Sequence, residues 1–309
     1  MKIIDCRIVP PFKLQAASQS ADAAHDARMY GEMYFGQADT EAFMADSPIL
    51  KGKNIQEAAV ALMEKDPAEN LVRLLDDTGI SRALFCGFDT SSVGGRVMPN
   101  EQVAEMQNKY PDRFIVLAGV DPYKGTPAVR QLEYALKELG LKGMRIAPFE
   151  LKMYPNDKRL YPFYEKLVEY DVPLDSHASV NFTQSRLMDF AHPKYLDEVA
   201  CDFPDLKIIA DHGGWPWIDE MVATAWRHYN FYICVSAIRM KYLSTPDSGW
   251  GMLVHYGNTV IQDKIVWGST WPYLPIKRQI EETLQLPLKD EVKEKWLYRN
   301  AARLFGFED

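Results

Sequence analysis

The sequence lacks the features that would point to a nucleic-acid or membrane partner. Its 309 residues carry no basic excess, because 35 Lys and Arg stand against 43 Asp and Glu for a net charge of −8. Nucleic-acid binding needs a basic patch, and electrostatic membrane contact needs a polybasic segment. No run approaches the roughly 18 apolar residues of a membrane helix, and no apolar segment typical of a signal peptide opens the chain. We therefore expect a cytoplasmic protein.

Cysteine is scarce and unpaired in sequence. Cys6, Cys86, Cys201 and Cys234 form no Cys-x-x-Cys pair, so a zinc ribbon is not predicted. In a cytosolic chain, such cysteines are usually reduced and mostly buried. Repeats of 20–50 residues and low-complexity tracts are also missing, which excludes a solenoid.

What the sequence does contain is alternation between short β-branched, apolar runs and longer amphipathic stretches, the pattern of βα units around a parallel sheet. The apolar runs are residues 2–9, 82–88, 114–120, 143–147, 173–179, 207–212, 231–237 and 264–269. Eight strands that alternate with helices predict an α/β fold, a single (β/α)₈ TIM barrel over residues 1–309. The alternative is a doubly wound open sheet. It often has a glycine-rich loop after its first strand, where this chain has Pro10 and Pro11.

A long insertion follows the first predicted strand. Residues 11–66 contain no strand pattern but include aromatic and charged side chains. Connections of this length are usually functional or partly helical. We interpret the insertion as a cap over the barrel mouth, with a dimer contact as the alternative. The tail, residues 289–309, is predicted to form one or two closing helices.

Barrel active sites lie at the C-terminal ends of the strands, so the polar residues there are the candidates. They are Asp5, Arg7, Asp89, Asp121, Arg145, Asp175, Ser176, His177, Asp211, His212, Ser236, Ser269 and Thr270. Asp89 and Asp121 are explained equally well as helix caps. The other histidines, His25, His192, His228 and His255, fall in loops or helices, and we interpret them as surface or structural residues.

Two histidines and two arginines stand out among these candidates. His177 and His212 end adjacent predicted strands, which lie about 5 Å apart, so both should face the barrel mouth. A lone histidine at a strand end is usually a hydrogen-bonding group, but a pair favours catalysis or substrate binding. Arg7 and Arg145 lie within strands. There a buried arginine needs either an acidic partner or an anionic ligand.

Several segments, in this order and spacing, carry a family resemblance. They are Ile3-Ile4-Asp5, residues 143–148 followed by 160–170, residues 172–177, residues 211–214, Trp267-Gly268-Ser269 with Pro272, and residues 300–306. Together they resemble the amidohydrolase superfamily, in particular its branch with aminocarboxymuconate-semialdehyde decarboxylase, γ-resorcylate decarboxylase and pyrone-dicarboxylate lactonase. The resemblance covers nearly the whole chain and implies the TIM barrel.

The resemblance also implies a metal site that this sequence does not complete. Typical members carry a His-x-His pair where this chain has Arg7 and Val9, and an aspartate where it has Thr270. His177 matches a metal ligand, and His212 matches a ligand or the catalytic histidine. Two imidazoles fall short of the three protein ligands usual at a catalytic zinc. We therefore expect no metal cofactor. The alternative is a weakly held divalent ion such as zinc on His177 and His212.

The first functional hypothesis is a metal-independent, lactonase-like hydrolase that cleaves a C–O or C–N bond in a small carboxylated cyclic or aromatic-derived substrate. Arg7 and Arg145 would hold a carboxylate or an oxyanion. His212 or His177 would be the general base. We favour His212, because the two glycines after it should leave room for substrate. The remaining predicted substrate-binding residues are Trp215, Thr270, Trp271 and Tyr273.

Two alternatives stay open. One is a decarboxylase or hydratase of a small aromatic or unsaturated acid, although the resemblance implies that such enzymes depend on a metal. The other is a non-catalytic binding protein. In the enzyme hypotheses the partner is a small anionic molecule, and we expect a homo-oligomer.

Overall fold

The computed structural model describes residues 1–9, 45–53 and 55–307, with the side chains of residues 55, 56 and 59 left aside. In these ranges parallel strands alternate with helices as in an α/β TIM barrel, which confirms the predicted fold class. The strands are β1 (Ile4–Asp5), β2 (Arg82–Cys86), β3 (Phe88–Asp89), β4 (Val97–Met98), β5 (Phe114–Leu117), β6 (Met144–Ile146), β7 (Leu174–His177), β8 (Ile208–Asp211), β9 (Phe231–Val235) and β10 (Ile265–Trp267). Strands β3 and β4 pair as an antiparallel hairpin beyond β2.

The parallel strands of the described residues form two ladders, β1-β2-β5 and β10-β9-β8-β7-β6. Backbone hydrogen bonds connect the ladders at both seams. Ala118 N donates to Gly143 O at 2.8 Å between β5 and β6, and Cys6 N donates to Trp267 O at 2.9 Å beside β10. All eight parallel strands therefore present their C-terminal ends at one face of the barrel.

Two apolar clusters hold this arrangement together. The larger lies between the strands and the surrounding helices. The smaller fills the barrel and includes Cys6, Cys86 and Cys234, with Tyr298 and Ala301 of the tail packed against it. A barrel interior filled in this way is a core and not a channel. Reactive groups are thus confined to the strand ends. Three cysteines are buried as expected, whereas Cys201 is exposed.

Helices cover the barrel at the expected positions. They are α1 (Ile55–Met63), α2 (Pro67–Thr78), α3 (Asn100–Lys109), α4 (Thr126–Lys137), α5 (Pro148–Leu151), α6 (Tyr161–Glu169), α7 (Pro193–Asp202), α8 (Ile218–Arg227), α9 (Gly251–Gly257), α10 (Ile276–Leu284), α11 (Asp290–Glu294) and α12 (Asn300–Phe305). Helix α2 shows why they form. Asp66 accepts the Glu69 N–H at its start, and Gly79 adopts a φ of 76° just past its end. Across the described ranges, no helix combines the length and apolar character needed to cross a membrane.

The first strand is shorter than residues 2–9, the range that the sequence predicts. Its regular ladder is interrupted after Asp5, where the Asp5 carboxylate accepts the Arg7 N–H at 3.0 Å. Pairing with β2 resumes at Ile8, whose N–H donates to Leu84 O at 3.0 Å.

Residues 11–44 and 54 of the predicted insertion lie outside the described residues, so the interpretation of residues 11–66 as a cap or a dimer contact stays a prediction. The last segment of the insertion is attached to the side of the barrel. Buried Asp46 accepts the backbone N–H groups of Ile276 at 2.6 Å and Lys277 at 3.0 Å, at the start of α10. Helix α1 packs against α2. The predicted tail helices are present as α11 and α12 with a π-helical turn, Lys295–Arg299, between them.

Candidate active site

The structure brings the two predicted histidines together at the barrel mouth. His177 ends β7 and His212 directly follows β8, where the register pairs His177 with Asp211. The two imidazole centroids lie 4.9 Å apart in an edge-to-face arrangement, and Phe149 contacts His177 at 4.7 Å. Both histidines are buried. A mutually packed pair of rings at this face is a plausible centre for proton transfer.

The orientation of His212 is fixed by Ser236, which follows β9. The Ser236 hydroxyl lies 2.9 Å from His212 Nδ1, and the Cys234 thiol donates to the same hydroxyl at 3.5 Å. One ring nitrogen of His212 is thus engaged by a neutral hydroxyl. The other, Nε2, lies 3.8 Å from Asp211 Oδ2.

Three residues around this point adopt uncommon backbone conformations. His212, Ala237 and Thr270 have φ values of 72°, 57° and 59°, in the left-handed region that non-glycine residues rarely occupy. Such residues cost about 1–3 kcal/mol each and cluster at functional sites. The Ala237 N–H donates to Thr270 Oγ1 at 2.6 Å, which connects two of them.

The expectation that Gly213 and Gly214 leave room for substrate is wrong. A Cβ at Gly213 would lie 2.6 Å from the Trp250 ring, and a Cβ at Gly214 would lie 2.7 Å from Met221 Cβ. Both glycines have positive φ. They therefore allow the close approach of Trp250 and Met221 to the turn that carries His212.

The room for substrate lies beside the imidazole, with Trp250 as one of its walls. A cavity of about 270 Å³ opens beside His212. Its lining is mainly aromatic and aliphatic: Ser179, Val180, Phe182, Trp215, Ala237, Ile238, Tyr242, Ser248 and Trp250. This volume is slightly below the range of about 300–1,000 Å³ usual for small-molecule sites. The cavity suits a compact, planar and largely apolar molecule.

Both arginines point to buried carboxylates. Arg145 pairs with Asp175 and with Asp211, and Arg7 Nε lies 3.3 Å from Asp211 Oδ2. Of the two partners that the sequence left open for these arginines, the structure shows the acidic one. A void of about 30 Å³ beside Arg145 is large enough for a water molecule. Direct contact between these arginines and a substrate anion stays a prediction.

The carboxylates of this cluster differ in pKa. Burial raises the pKa of Asp5 to about 7. Burial also raises the pKa of Asp175; the negative charge of Asp211 adds to this rise, and the positive charge of Arg145 opposes it. For Asp211, burial is outweighed by Arg145, His212 and Arg7, which hold its pKa well below the usual value. Asp211 is therefore the ionised partner that the two arginines share.

His177 stays neutral in this environment. Burial and the neighbouring charges of His212 and Arg145 lower its pKa well below the ordinary value. His177 is therefore a poor proton donor near neutral pH, whereas its neutral imidazole can accept a proton. A catalytic role for His177 stays a prediction.

Of the four other predicted substrate-binding residues, one lines the cavity and three do not. Trp215 lines the cavity. Trp271 does not, because it is 1% exposed and belongs to the core between strands and helices. Thr270 is also buried and accepts the Ala237 N–H instead of lining the cavity, and half-buried Tyr273 lies outside the cavity lining.

The walls that the sequence did not predict are Phe182, Tyr242 and Trp250. Each lies in a connection after a strand, where an aromatic side chain was the only available signal.

Comparison with known proteins identifies the family. The family model described as Amidohydrolase matches residues 51–307. The chain belongs to the amidohydrolase family.

Two curated relatives of this amidohydrolase are lyases by name. A 2-keto-4-carboxy-3-hexenedioate hydratase from Sphingobium sp. is 28% identical over 176 residues, covering 47% of this chain and 51% of that protein. A γ-resorcylate decarboxylase from Polaromonas sp. is 27% identical over 149 residues, covering 45% of each. The chain thus spans about half the length of the curated relatives that it matches.

Solved structures share the fold over the whole length. An uncharacterised TIM-barrel protein from Bordetella bronchiseptica matches with a TM-score of 0.72 and 25% identity, covering 99% of both chains. A 5-carboxyvanillate decarboxylase from Novosphingobium aromaticivorans, in complex with manganese and 4-hydroxy-3-methoxy-5-nitrobenzoic acid, matches with a TM-score of 0.64 and 16% identity, covering 99% of this chain and 95% of that chain. At this identity the second match shows the fold alone.

The described residues at the mouth of this amidohydrolase do not fit a catalytic divalent cation. His177 Nδ1 has no hydrogen-bond partner there, but among the described residues only His212 accompanies it as a nitrogen ligand. Asp211, the carboxylate beside His212, is engaged by two arginines. Within the described ranges, three potential ligand atoms converge at a different place, formed by Asp197, Cys201 and His228. A catalytic zinc usually has three protein ligands.

Proposed function

We propose that this member of the amidohydrolase family is a metal-independent lyase that acts on a small aromatic or conjugated carboxylic acid. His212 is its acid–base group. The observation that carries the proposal is the position of His212. Its imidazole borders a 270 Å³ cavity with aromatic walls, beside a buried cluster that contains the guanidinium groups of Arg7 and Arg145. An apolar wall and a positive field are complementary to a planar anion.

The choice of lyase over hydrolase is supported by the relatives. They are named as a hydratase of an unsaturated acid and a decarboxylase of an aromatic acid, and neither is named as a hydrolase. The alternative that the sequence ranked second is thus better supported than the lactonase-like hydrolase that it ranked first. Hydration and decarboxylation share one step, the transfer of a proton to a carbon of a conjugated acid.

The residues of this chain can perform that step without a metal. In a decarboxylation, the His212 imidazolium transfers its proton to the carbon that bears the carboxylate. The bond to the carboxylate carbon then breaks, its electron pair restores the conjugated system, and CO₂ leaves. Asp211 at 3.8 Å stabilises the imidazolium, and solvent returns the proton to His212. Trp215 and Trp250 hold the ring and exclude water.

The test is turnover of a panel of hydroxybenzoates and small unsaturated polycarboxylic acids, followed by ultraviolet absorbance and CO₂ release. In D₂O, one deuterium should appear on the product carbon. His212→Asn should lower kcat by about 10²–10⁴-fold while the fold stays intact. His255→Asn, at an exposed position on α9, is the matched control and should retain activity.

Three results would contradict the proposal. Turnover of lactones, esters or amides but of none of the acids would favour the hydrolase. Equal turnover of the acids by wild type and His212→Asn would remove His212 from the mechanism. A chain that binds the acids and turns over none of the compounds would be a binding protein. The homo-oligomer and the cytoplasmic location stay expectations beside this proposal.

A further inference from the structure

Three side chains with metal-binding chemistry meet on the outside of the barrel, away from the proposed active site. Asp197 and Cys201 lie on α7, and His228 directly follows α8. In a (β/α)₈ barrel the helices run antiparallel to the strands, so the C-terminal ends of α7 and α8 lie at the face opposite the active site. None of the three residues takes part in the proposed reaction.

The spacing of these residues is that of a chelate. Asp197 and Cys201 are four residues apart and therefore lie one turn apart on the same face of α7. Helix α8 packs against α7 and brings His228 to this face, where His228 Nε2 lies 2.6 Å from Asp197 Oδ1. The three potential ligand atoms all lie within 4.8 Å of one another. Ligand atoms around a tetrahedral zinc are separated by roughly 3.5 Å, so small side-chain rotations would complete the geometry.

The cluster already attracts a cation. The Arg227 guanidinium lies 3.1 Å from Asp197 Oδ2, and it donates to Cys201 Sγ at 3.8 Å. This side chain is 59% exposed, so it can move into solvent at little cost. The Arg227 guanidinium thus occupies the position that a metal ion would take. Because its side chain is exposed, a metal ion can displace it.

The backbone of the histidine ligand is fixed in advance. The Lys264 ammonium donates to the carbonyl oxygen of His228 at 2.5 Å and to that of Ala225 at 2.6 Å. Two ligands on one helix and a third on an anchored helix end need little reorganisation to bind an ion.

We propose that Asp197, Cys201 and His228 form a binding site for Zn²⁺ that joins α7 to α8. A thiolate and an imidazole select zinc or a similar borderline-soft ion over magnesium and calcium. Binding releases the thiol proton of Cys201 to solvent, and water takes the fourth coordination position. At the face of the barrel opposite the active site, the effect of the ion is on stability and not on turnover.

The experiment is titration of the full chain with Co²⁺ and with Zn²⁺. Co²⁺ should give a thiolate-to-metal charge-transfer band in the near ultraviolet, and Zn²⁺ should abolish it. At a zinc concentration about a hundredfold above Kd, the melting temperature should rise by roughly 5 °C. Cys201→Ser should lose the band and weaken zinc binding at least tenfold, and His228→Asn should weaken binding to a similar degree. Arg227→Gln removes the competing guanidinium and should tighten binding several-fold.

His212→Asn separates this proposal from the proposed function, because it should lose turnover and keep the full cobalt band. Equal zinc binding by wild type and Cys201→Ser overturns the proposal. So does a cobalt complex that disappears in His212→Asn and persists in Cys201→Ser, since the ion would then lie at the barrel mouth. Because Cys201 is exposed, we expect the Cys201→Ser variant to fold normally.

Discussion

Ser236 connects β9 to the imidazole that the proposed reaction uses. Its hydroxyl lies 2.9 Å from His212 Nδ1 and holds the orientation of the ring. We expect Ser236→Ala to lower kcat about tenfold with little change in KM, because a net hydrogen bond contributes about 1 kcal/mol. The pH optimum should shift as well, because loss of this hydrogen bond changes the relative stability of the neutral and protonated imidazole. Ser236→Thr keeps the hydroxyl and should recover much of the rate. A change in stability alone, with an unaltered pH profile, would reduce Ser236 to a packing residue.

A second residue, Asp5, makes stability depend on pH. Burial raises its pKa from 3.8 to about 7, so between these values the folded chain binds a proton that the unfolded chain releases. The contribution of Asp5 is therefore favourable at low pH and is lost as pH rises towards 7. Asp5→Asn keeps the acceptor for the Arg7 and Ser269 N–H groups without the charge.

Urea unfolding between pH 4.5 and 7.5 tests this prediction. The free energy of unfolding of Asp5→Asn, relative to wild type, should increase with pH. A constant difference over this range would mean that Asp5 is ionised throughout. Asp175 has a similarly raised pKa in both proteins, so its contribution cancels in the comparison.

The sequence could predict the histidines but not their surroundings. His177 and His212 were visible because a strand end is a position that periodicity alone reveals. The partners of Arg7 and Arg145 were not visible. Whether an arginine meets a carboxylate or a ligand depends on which strands are neighbours, and the sequence does not show this directly. Trp250 was missed for the same reason. It reaches the cavity only because Gly213 lets its ring approach.

At the scale of elements, the predicted strands agree with the structure better in number than in length. Eight parallel strands were expected, and eight are found in the described ranges. The predicted ends were too long where side chains interrupt the ladder, as Asp5 does at β1. Patterns of apolar residues report which segments are buried, and the hydrogen bond from a backbone N–H to a nearby carboxylate leaves no trace in such patterns.

Gly268 controls how closely β10 approaches the first strand. A Cβ at this position would lie 2.6 Å from Arg7 Cβ and 3.0 Å from Arg7 N. We expect Gly268→Ala to destabilise the fold by about 1–3 kcal/mol, because a well-packed core does not accept an extra methyl group. Gly251→Ala is the control, since a Cβ there meets nothing within 4 Å and α9 should tolerate it. Equal unfolding free energies for the two variants would show that the seam beside Arg7 can relax.

At the scale of the whole molecule, charge is distributed unevenly. The chain carries a net charge of −8, yet two buried guanidinium groups, those of Arg7 and Arg145, lie beside the histidines. Solvent and salt screen surface charges, whereas charges in a buried cluster act over short distances at a lower dielectric. The local positive charge of the arginines therefore attracts a small anion to the barrel mouth, although the net charge of the protein is negative. The same positive charge opposes a divalent cation there.

Metal content and activity should therefore be separable in this protein. Treatment with a chelator should remove zinc from the Asp197, Cys201 and His228 site and lower the melting temperature. Turnover of the acid substrate should stay within about twofold, because the proposed chemistry needs only an imidazole and a field from fixed charges. Added Zn²⁺ should restore stability in wild type and do so only weakly in Cys201→Ser. Neither Zn²⁺ nor Mn²⁺ should raise kcat in either protein. Loss of turnover on chelation, with recovery by Mn²⁺ in the Cys201→Ser variant, would show instead that an ion acts at His177 and His212. In that case further ligands must join them from outside the described residues, and the metal-independent mechanism would be wrong.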